Sequence, residues 1–476
     1  MKKILFSALL LCSASIYAQN DTLGIWEGKL NVGAVSLRIV FHIDKIETGI
    51  YKATMDSPDQ GAKGIPCSNV TLNGNGILIE LKAAHGFYKG SFENNNSLKG
   101  TWTQAGKQFP LDLKHVTKIT EQPLAVRYQT PKPPFNYNID SVEYDNADKT
   151  VHFGATLTYP KTKGPFAVAV MITGSGLQDR DETVMNHRPF AVIADYLTKN
   201  GIAVLRVDDR NIGKSKGDVN NATSADFAND VIASIQYLLT RNEIDKNKIG
   251  VIGHSEGGFI APMIYTKWPQ LSFIISLAGT GVSGADILVR QETDPLKDKV
   301  SNEAFESFYS LTKQTLQMLH DNANANDSVI LNNAKKIFAD WKAGLSDTVS
   351  VQLNVKMVTP ELYVNNQLKP ELNAWLKYFI VTEPDQFWSK VKCPVLVLNG
   401  EKDIQVYAEQ NTKAIEASLK KAGNKNVTIK VFPGQNHLFQ HCTKCTVAEY
   451  AELGETFSVD ALETMNNWLQ QNVVKK

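Results

Sequence analysis

A chain of 476 residues, 43% hydrophobic and 21% charged, has ample apolar material for a packed core and room for two or three domains. Its formal net charge is +1, and setting Lys2 and Lys3 aside leaves 48 basic against 49 acidic residues. That balance lacks the basic footprint of a nucleic-acid binder and offers no attraction to an anionic membrane surface.

Residues 1–19 have the pattern of a signal peptide. Lys2-Lys3 lead into an apolar run from Ile4 to Leu11, and Tyr17-Ala18-Gln19 forms a cleavage region. The run is too short to span a bilayer, and no other stretch reaches transmembrane length. Cys12 is not expected to be lipidated, because bulky Leu11 stands where a small residue is required. The expectation is an exported protein, periplasmic or extracellular, without a lipoprotein anchor. Beyond the leader lie Cys67, Cys393, Cys442 and Cys445. The lone Cys442-Thr443-Lys444-Cys445 motif lacks the two further ligands zinc requires, so no metal is expected. Ordinary thiols are the preferred reading there, with a local disulfide the alternative in an oxidising compartment.

From residue 21 to 116 short alternating runs, such as Val35–Ile43 and Ile77–Leu81, are separated by turns such as Asn73-Gly74-Asn75-Gly76. This predicts an antiparallel β domain, a small barrel or sandwich. Trp26 and Trp102 are read as core rather than cavity lining. Residues 117–136 are read as a linker ending in Pro131-Lys132-Pro133-Pro134, which favours extended backbone. Residues 137–476 follow as the main domain, expected to keep small-ester hydrolysis in a chain starting near Pro131.

Two strands are predicted near Ser141–Tyr144 and Val151–Tyr159. From Phe166 strands alternate with helices, and near-continuous apolar strands such as Phe166–Ile172 indicate a mostly parallel sheet with helices on both faces. The alternation stops from about 282 to 388, where helices are expected at Asn302–His320 and Ser328–Ala343. This interval reads as a helical cap inserted over the pocket. The alternation returns at Pro394–Leu398 and ends in a helix from Val459.

Lys248–Ile252 is a β-branched run that leads directly into Gly253-His254-Ser255-Glu256-Gly257 and then a helical pattern. Strand, GxSxG and helix together form a nucleophile elbow, which raises Ser255 above the sheet at the positive end of a helix. Gly253 and Gly257 stand where strand and helix approach too closely for side chains. A serine nucleophile needs a base, an orienter for the base and oxyanion donors. Asp403, in Asn399-Gly400-Glu401-Lys402-Asp403, is the expected acid, with Glu401 the competitor. His437, in Pro433-Gly434-Gln435-Asn436-His437, is the expected base, with His441 the rival. The order Ser, Asp, His along the chain is that of an α/β-hydrolase. The oxyanion donors are read as the backbone N–H groups of Glu256 and Leu177, with Gly176 the alternative. His254 reads as packing or pocket wall, and both Asp179–Glu182 and Asp208–Arg210 read as loop supports.

Five motifs in order, GSGLQDRDE (174–182), VDDRNIGKSKGD (207–218), GHSEGG (253–258), LNGEKDIQV (398–406) and PGQNHLFQ (433–440), resemble a bacterial α/β-hydrolase family. It is carboxylesterase-like and related to the serine-aminopeptidase and prolyl-oligopeptidase group. The resemblance covers roughly residues 140–475 and implies the triad Ser255, Asp403 and His437 beneath a helical cap. The family form often carries proline where this chain has Leu177, which leaves an N–H free to donate.

These readings converge on an α/β-hydrolase fold with an N-terminal antiparallel β domain. The expected enzyme is a serine hydrolase that cleaves carboxylic esters through an acyl-enzyme on Ser255, with a small-molecule ester or short acylated substrate and no cofactor. A serine peptidase or aminopeptidase of the same fold is the alternative, with Glu256, Asp179 and Glu182 as candidates to hold a substrate ammonium. A non-catalytic binding protein is the third reading.

Overall fold

Alternating apolar residues organise the first part of the chain into strands, as the computed structural model shows for residues 23–32, 35–47, 49–60, 62–81, 86–104 and 107–119. The later described residues are 127–369 and 371–475, and the expected leader at 1–19 lies outside the described residues. The chain forms two compact units that part near residue 120.

The first unit is one antiparallel sheet. Its strands are β1 (Gly24–Val32), β2 (Val35–Glu47), β3 (Ile50–Ser57), β4 (Ala62–Pro66), β5 (Asn69–Asn73), β6 (Gly76–Leu81), β7 (Gly86–Asn94), β8 (Ser97–Gln104), β9 (Lys107–Pro110) and β10 (Leu113–Val116). The spatial order is β4-β3-β2-β1-β10-β8-β7-β6-β5, with β9 beside β8. One stretch of chain ties both edges together. Cys67 N–H donates to Ala53 O beside β4, and Ser68 N–H donates to Glu80 O on β6. The sheet therefore closes on itself as a barrel, which removes exposed edges. The strict alternation of β6 turns Ile77, Ile79 and Leu81 inward. Trp26 and Trp102 lie in this core with Phe41 and Tyr88.

The second unit is an eight-stranded sheet ordered β11-β12-β14-β13-β15-β16-β17-β18. The strands are β11 (Tyr137–Asp145), β12 (His152–Pro160), β13 (Phe166–Ile172), β14 (Ala203–Val207), β15 (Ile244–His254), β16 (Ile274–Leu277), β17 (Val395–Gly400) and β18 (Val427–Phe432). The β11–β12 and β12–β14 pairs are antiparallel and all others parallel. Every residue of β13 is buried, as a central strand covered on both faces requires. On one face, α2 (Ser224–Leu238), α3 (Glu256–Lys267) and α11 (Ala408–Lys421) pack Val231, Ile260 and Ile415 against the sheet. On the other, α1 (Pro189–Lys199) and α12 (Val459–Leu469) contribute Phe190, Ile193 and Met465. At the start of α2 the Asp226 carboxylate reaches back to accept from the N–H and the hydroxyl of Thr223.

Between β16 and β17 the strand–helix alternation gives way to helices α4 (Gly284–Thr293), α5 (Asn302–Asp321), α6 (Asp327–Ala343), α7 (Asp347–Gln352), α8 (Pro360–Tyr363), α9 (Ala374–Val381) and α10 (Asp385–Trp388). Val289, Leu316, Ile330, Val364 and Ile380 give this insertion a core of its own.

The stretch read as a linker differs from that expectation at its C-terminal part. Arg127 is buried, and its guanidinium donates to the carbonyls of Leu453, Met185 and Ala451. Gln129 donates to Phe457 O and accepts from the N–H groups of Thr456 and Phe457. Both side chains belong to the second unit, because without them these buried backbone groups would lose their partners. A chain starting at Pro131 is therefore expected to be less stable than one starting just ahead of Arg127, by about 3 kcal/mol. Thermal unfolding of the two truncations checks this, and equal melting temperatures would refute it.

Candidate active site

β15 delivers its last residue, His254, into a turn that the chain can make only under strain. Ser255 has φ +52° and ψ −117°, a conformation outside the ordinary regions for a side-chain-bearing residue. The turn is held from both sides: Ser255 N–H donates to Leu277 O at 2.8 Å, and Ser255 O accepts from Gly258 N–H at 2.9 Å. Close approach makes the two flanking glycines obligatory. A Cβ on Gly253 would lie 2.1 Å from Gly257 O, and one on Gly257 would lie 2.2 Å from Ile172 O. Ser255 thus stands at the N-terminus of α3, against the positive end of its dipole.

The loops after β17 and β18 meet above the sheet. His437 Nδ1 lies 2.7 Å from Asp403 Oδ2, and both side chains are buried. Asp403 is held on every side. Its Oδ1 accepts from Gln405 N–H and Val406 N–H, each at 2.8 Å, and its Oδ2 accepts from Asn399 Nδ2 at 3.1 Å. Gly400 has a packing reason to be glycine, since a Cβ there would lie 2.3 Å from Gln435 O in the base loop. The two rivals face elsewhere. Glu401 is exposed and accepts from Gly434 N–H, which with Lys402 holds its carboxyl below the usual range. His441 bonds the Glu455 carboxylate at 2.9 Å.

The loop after β13 closes the other side. A Cβ on Gly174 would lie 3.2 Å from Ser255 Cβ, so this glycine is the loop residue set against the serine. The peptide that follows it belongs to Ser175. Leu177, the donor favoured from sequence, is 42% exposed, and Gly176 has φ +90°. Among the described residues the N–H groups of Glu256 and Leu177 have no protein acceptor.

The acidic residues around the site are engaged with neighbours. Arg180 pairs with Asp208, Arg206 with Asp181 and Arg210 with Asp230, so these loops are braced by ion pairs. Asp179 accepts from the N–H groups of Asp181 and Thr183 and from the Thr183 hydroxyl. The buried Glu256 carboxylate accepts from Ser224 Oγ and from Trp375 Nε1 of α9, at 2.7 and 2.8 Å. Burial raises its pKa, opposed by these hydrogen bonds. Asp209 accepts from Thr173 Oγ1 and Gln178 N–H, yet burial, together with the charges of Glu182 and Glu256, pushes its carboxyl up to about 7. A cleft opens beside these groups, lined by Gly174, Glu256, Val170, Phe227, Val231 and Ile260 together with the charged Asp208, Asp209, Arg210 and Asp230.

Sequence reasoning missed three of these features. Trp375 reaches from the insertion to Glu256, Asp209 is buried, and His254 is hydrogen-bonded at both ring nitrogens. Only the position of His254 beside the serine was visible in the sequence. The cysteine reading also changes. Cys442 and Cys445 form a disulfide rather than free thiols. The turn between them brings the sulfurs together, and Glu449 holds it by accepting from the N–H groups of Thr443, Lys444 and Cys445.

A serine on a strained strand-to-helix turn, at the C-terminal end of an interior strand of a sheet in this order, defines a serine hydrolase of the α/β fold. The family profile described as X-Pro dipeptidyl-peptidase (S15 family) matches residues 149–437, and the chain belongs to that family. Esterase EstD of Thermotoga maritima is 26% identical over 368 residues, which cover 74% of this chain and 72% of the relative. An acyl transferase of Shewanella hanedai is 32% identical over 142 residues, 30% of this chain and 42% of the relative. Among solved structures, an esterase of Pyrococcus furiosus shares 15% identity at a TM-score of 0.40, covering 71% of this chain and 92% of that one. Est1E of Butyrivibrio proteoclasticus, with ferulic acid bound, shares 16% identity at a TM-score of 0.41, covering 70% and 100%.

Proposed function

We propose that the protein hydrolyses carboxylic esters of small molecules through an acyl-enzyme on Ser255. His437 takes the serine proton as the hydroxyl attacks the ester carbonyl, and later returns a proton to the leaving alcohol. Asp403 holds the imidazole in the tautomer that presents an unprotonated Nε2 and stabilises the cation that forms. Glu256 N–H and an N–H of the 175–177 loop receive the oxyanion, aided by the α3 dipole. Water then repeats the sequence on the acyl-enzyme. The observation that carries this reading is the buried 2.7 Å His437–Asp403 bond, next to a strained Ser255 elbow whose His254 lies 3.0 Å from the His437 carbonyl.

An ester rather than a peptide is favoured by the state of the nearby carboxylates. An aminopeptidase or dipeptidyl-peptidase must pair the substrate's ammonium with an acidic group. Glu256, Glu182 and Asp179 each already accept hydrogen bonds from the protein. The cleft beside Gly174 and Glu256 offers Val170, Phe227, Val231 and Ile260 to an acyl or alkyl group, and its charged residues Asp208, Arg210 and Asp230 are already ion-paired. The likeness to an esterase over most of the chain points the same way. The family description favours the second reading, cleavage of peptides after an X-Pro dipeptide. We further propose that the protein is exported, on the strength of the pattern in residues 1–19.

A substrate panel separates the two readings. Nitrophenyl acetate and butyrate are expected to turn over at least about 100-fold faster, in kcat/KM, than aminoacyl and Gly-Pro nitroanilides. Preferred cleavage of the Gly-Pro anilide would overturn the ester reading and install the peptidase one.

A further inference from the structure

His254 occupies the residue before the nucleophile, and both of its ring nitrogens face acceptors. Nδ1 lies 3.0 Å from Glu182 Oε1, and Nε2 lies 3.0 Å from the backbone carbonyl of His437. A carbonyl oxygen has no proton to give, so Nε2 must carry one. The partner of Nδ1 is a carboxylate oxygen that also accepts Gly174 N–H at 2.7 Å. A ring with protons on both nitrogens is an imidazolium. Phe190, Ile193, Leu277 and Leu438 close around the pair, where a lone charge would be costly and a matched one is retained.

The connections of this pair reach all the parts of the site. Glu182 grips Gly174, the loop residue against Ser255. His254 is covalently joined to Ser255, and its Nε2 holds the main chain of His437 in place. The two imidazole rings lie 4.7 Å apart, centre to centre. Glu182 itself sits at φ +52°, a left-handed conformation that a glutamate adopts only when its surroundings impose it.

We propose that Glu182 and His254 form a standing ion pair that positions the oxyanion loop and the base loop together and sets a buried cation beside the ring of His437. The pair touches neither the substrate nor the reacting atoms and acts as a positioning device. The proposal rests on the reading of Ser255 and His437 as nucleophile and base. Burial disfavours the His254 cation, but the Glu182 carboxylate, the His437 carbonyl and Asp403 outweigh it, and the balance is raised. The titratable groups facing His254 are Glu182 on the loop after β13, His437 on the base loop and Asp403 behind it. A cation beside His437 makes its protonation less favourable, whereas Asp403 makes it more favourable. Removing the cation alone must therefore move the acid limb of activity upward in pH.

The rate at which a fluorophosphonate labels Ser255 reads the base directly, without a natural substrate. It is measured against pH for the wild type, His254→Gln, Glu182→Gln and the double variant. His254→Gln is expected to raise the acid limb by about 0.5–1 pH unit. It is also expected to slow labelling at the optimum by roughly 10- to 100-fold through lost positioning. The double variant should lose no more than the worse single, because the two side chains act as one unit. An unmoved acid limb, or fully additive losses, would overturn the proposal. Should the variants not fold, ¹⁵N shifts of the His254 ring in the wild type at pH 8 decide its charge. Two protonated nitrogens are expected, and a single protonated nitrogen would overturn the proposal. A wild-type Ser255 that resists the probe at every pH would instead refute the nucleophile reading, a result distinct from an unshifted limb.

Discussion

Ser255→Ala is expected to lower turnover of a small ester by about 10⁴-fold or more while the protein stays folded. The substitution deletes the attacking oxygen and little else. Ser255 makes its two backbone hydrogen bonds, to Leu277 O and from Gly258 N–H, through the main chain. Alanine keeps both. The elbow strain is not relieved either, because alanine at φ +52° carries the same Cβ as serine. Fold and stability should therefore be nearly unchanged, and the loss is chemical. Steady-state rates beside a thermal melt provide the check. Turnover within tenfold of wild type would remove Ser255 from the mechanism, whatever the elbow geometry.

The second large effect concerns the acid. Asp403→Asn is expected to lower turnover by about 10⁴-fold, and the structure supplies the reason. All the groups around this carboxylate donate to it: Gln405 N–H and Val406 N–H on one oxygen, Asn399 Nδ2 and His437 Nδ1 on the other. An asparagine can accept at only one of these positions. Its oxygen is best placed against the two backbone N–H groups, which cannot rotate away. The amide NH₂ then faces His437 Nδ1 and can be satisfied only if that nitrogen is unprotonated. The proton moves to Nε2, and the imidazole meets the serine as a donor rather than an acceptor. A stability loss of about 1–3 kcal/mol should accompany this, from the donors left facing the amide. Glu401→Gln serves as the control. Glu401 is exposed and bonded to Gly434 N–H, so its replacement should leave turnover within a few-fold of wild type. A large loss in Glu401→Gln with a small one in Asp403→Asn would reverse the assignment of the acid.

The comparison of acid and competitor shows where sequence reading reaches its limit. Both carboxylates follow the same strand and lie two residues apart. Local propensity cannot rank them, since Asp and Glu alike are common in turns. The third dimension ranks them, because Gly400 lets the base loop cross directly over the strand end and leaves only Asp403 beneath the imidazole. The oxyanion loop is harder still. Its glycines announce flexible backbone, but which peptide faces the serine depends on how the loop folds back. There the structure sets Gly174 against Ser255 while Leu177 is exposed. Arg127 and Gln129 make the same point for the stretch read as a linker. Their partners, Leu453, Ala451 and Phe457, lie more than 300 residues away in sequence and leave no local signal.

What the sequence alone determined is everything written in short-range periodicity or in steric necessity. The buried strands of the sheet, the insertion of helices between β16 and β17, the inward-facing tryptophans of the barrel and the glycines flanking Ser255 are of this kind. Each follows from residues within a few positions of one another, through the period of the element or the lack of room for a Cβ. The tertiary structure alone decided which polar groups meet. It closed the barrel through the Cys67–Ser68 stretch, joined Cys442 to Cys445 and brought Trp375 of the insertion onto Glu256. It also turned His254, a residue that sequence could read only as packing or pocket wall, into the partner of Glu182 and His437. The physical reason is common to these cases. Burying a polar group demands a partner, but that demand is met in space and places no constraint on where along the chain the partner lies.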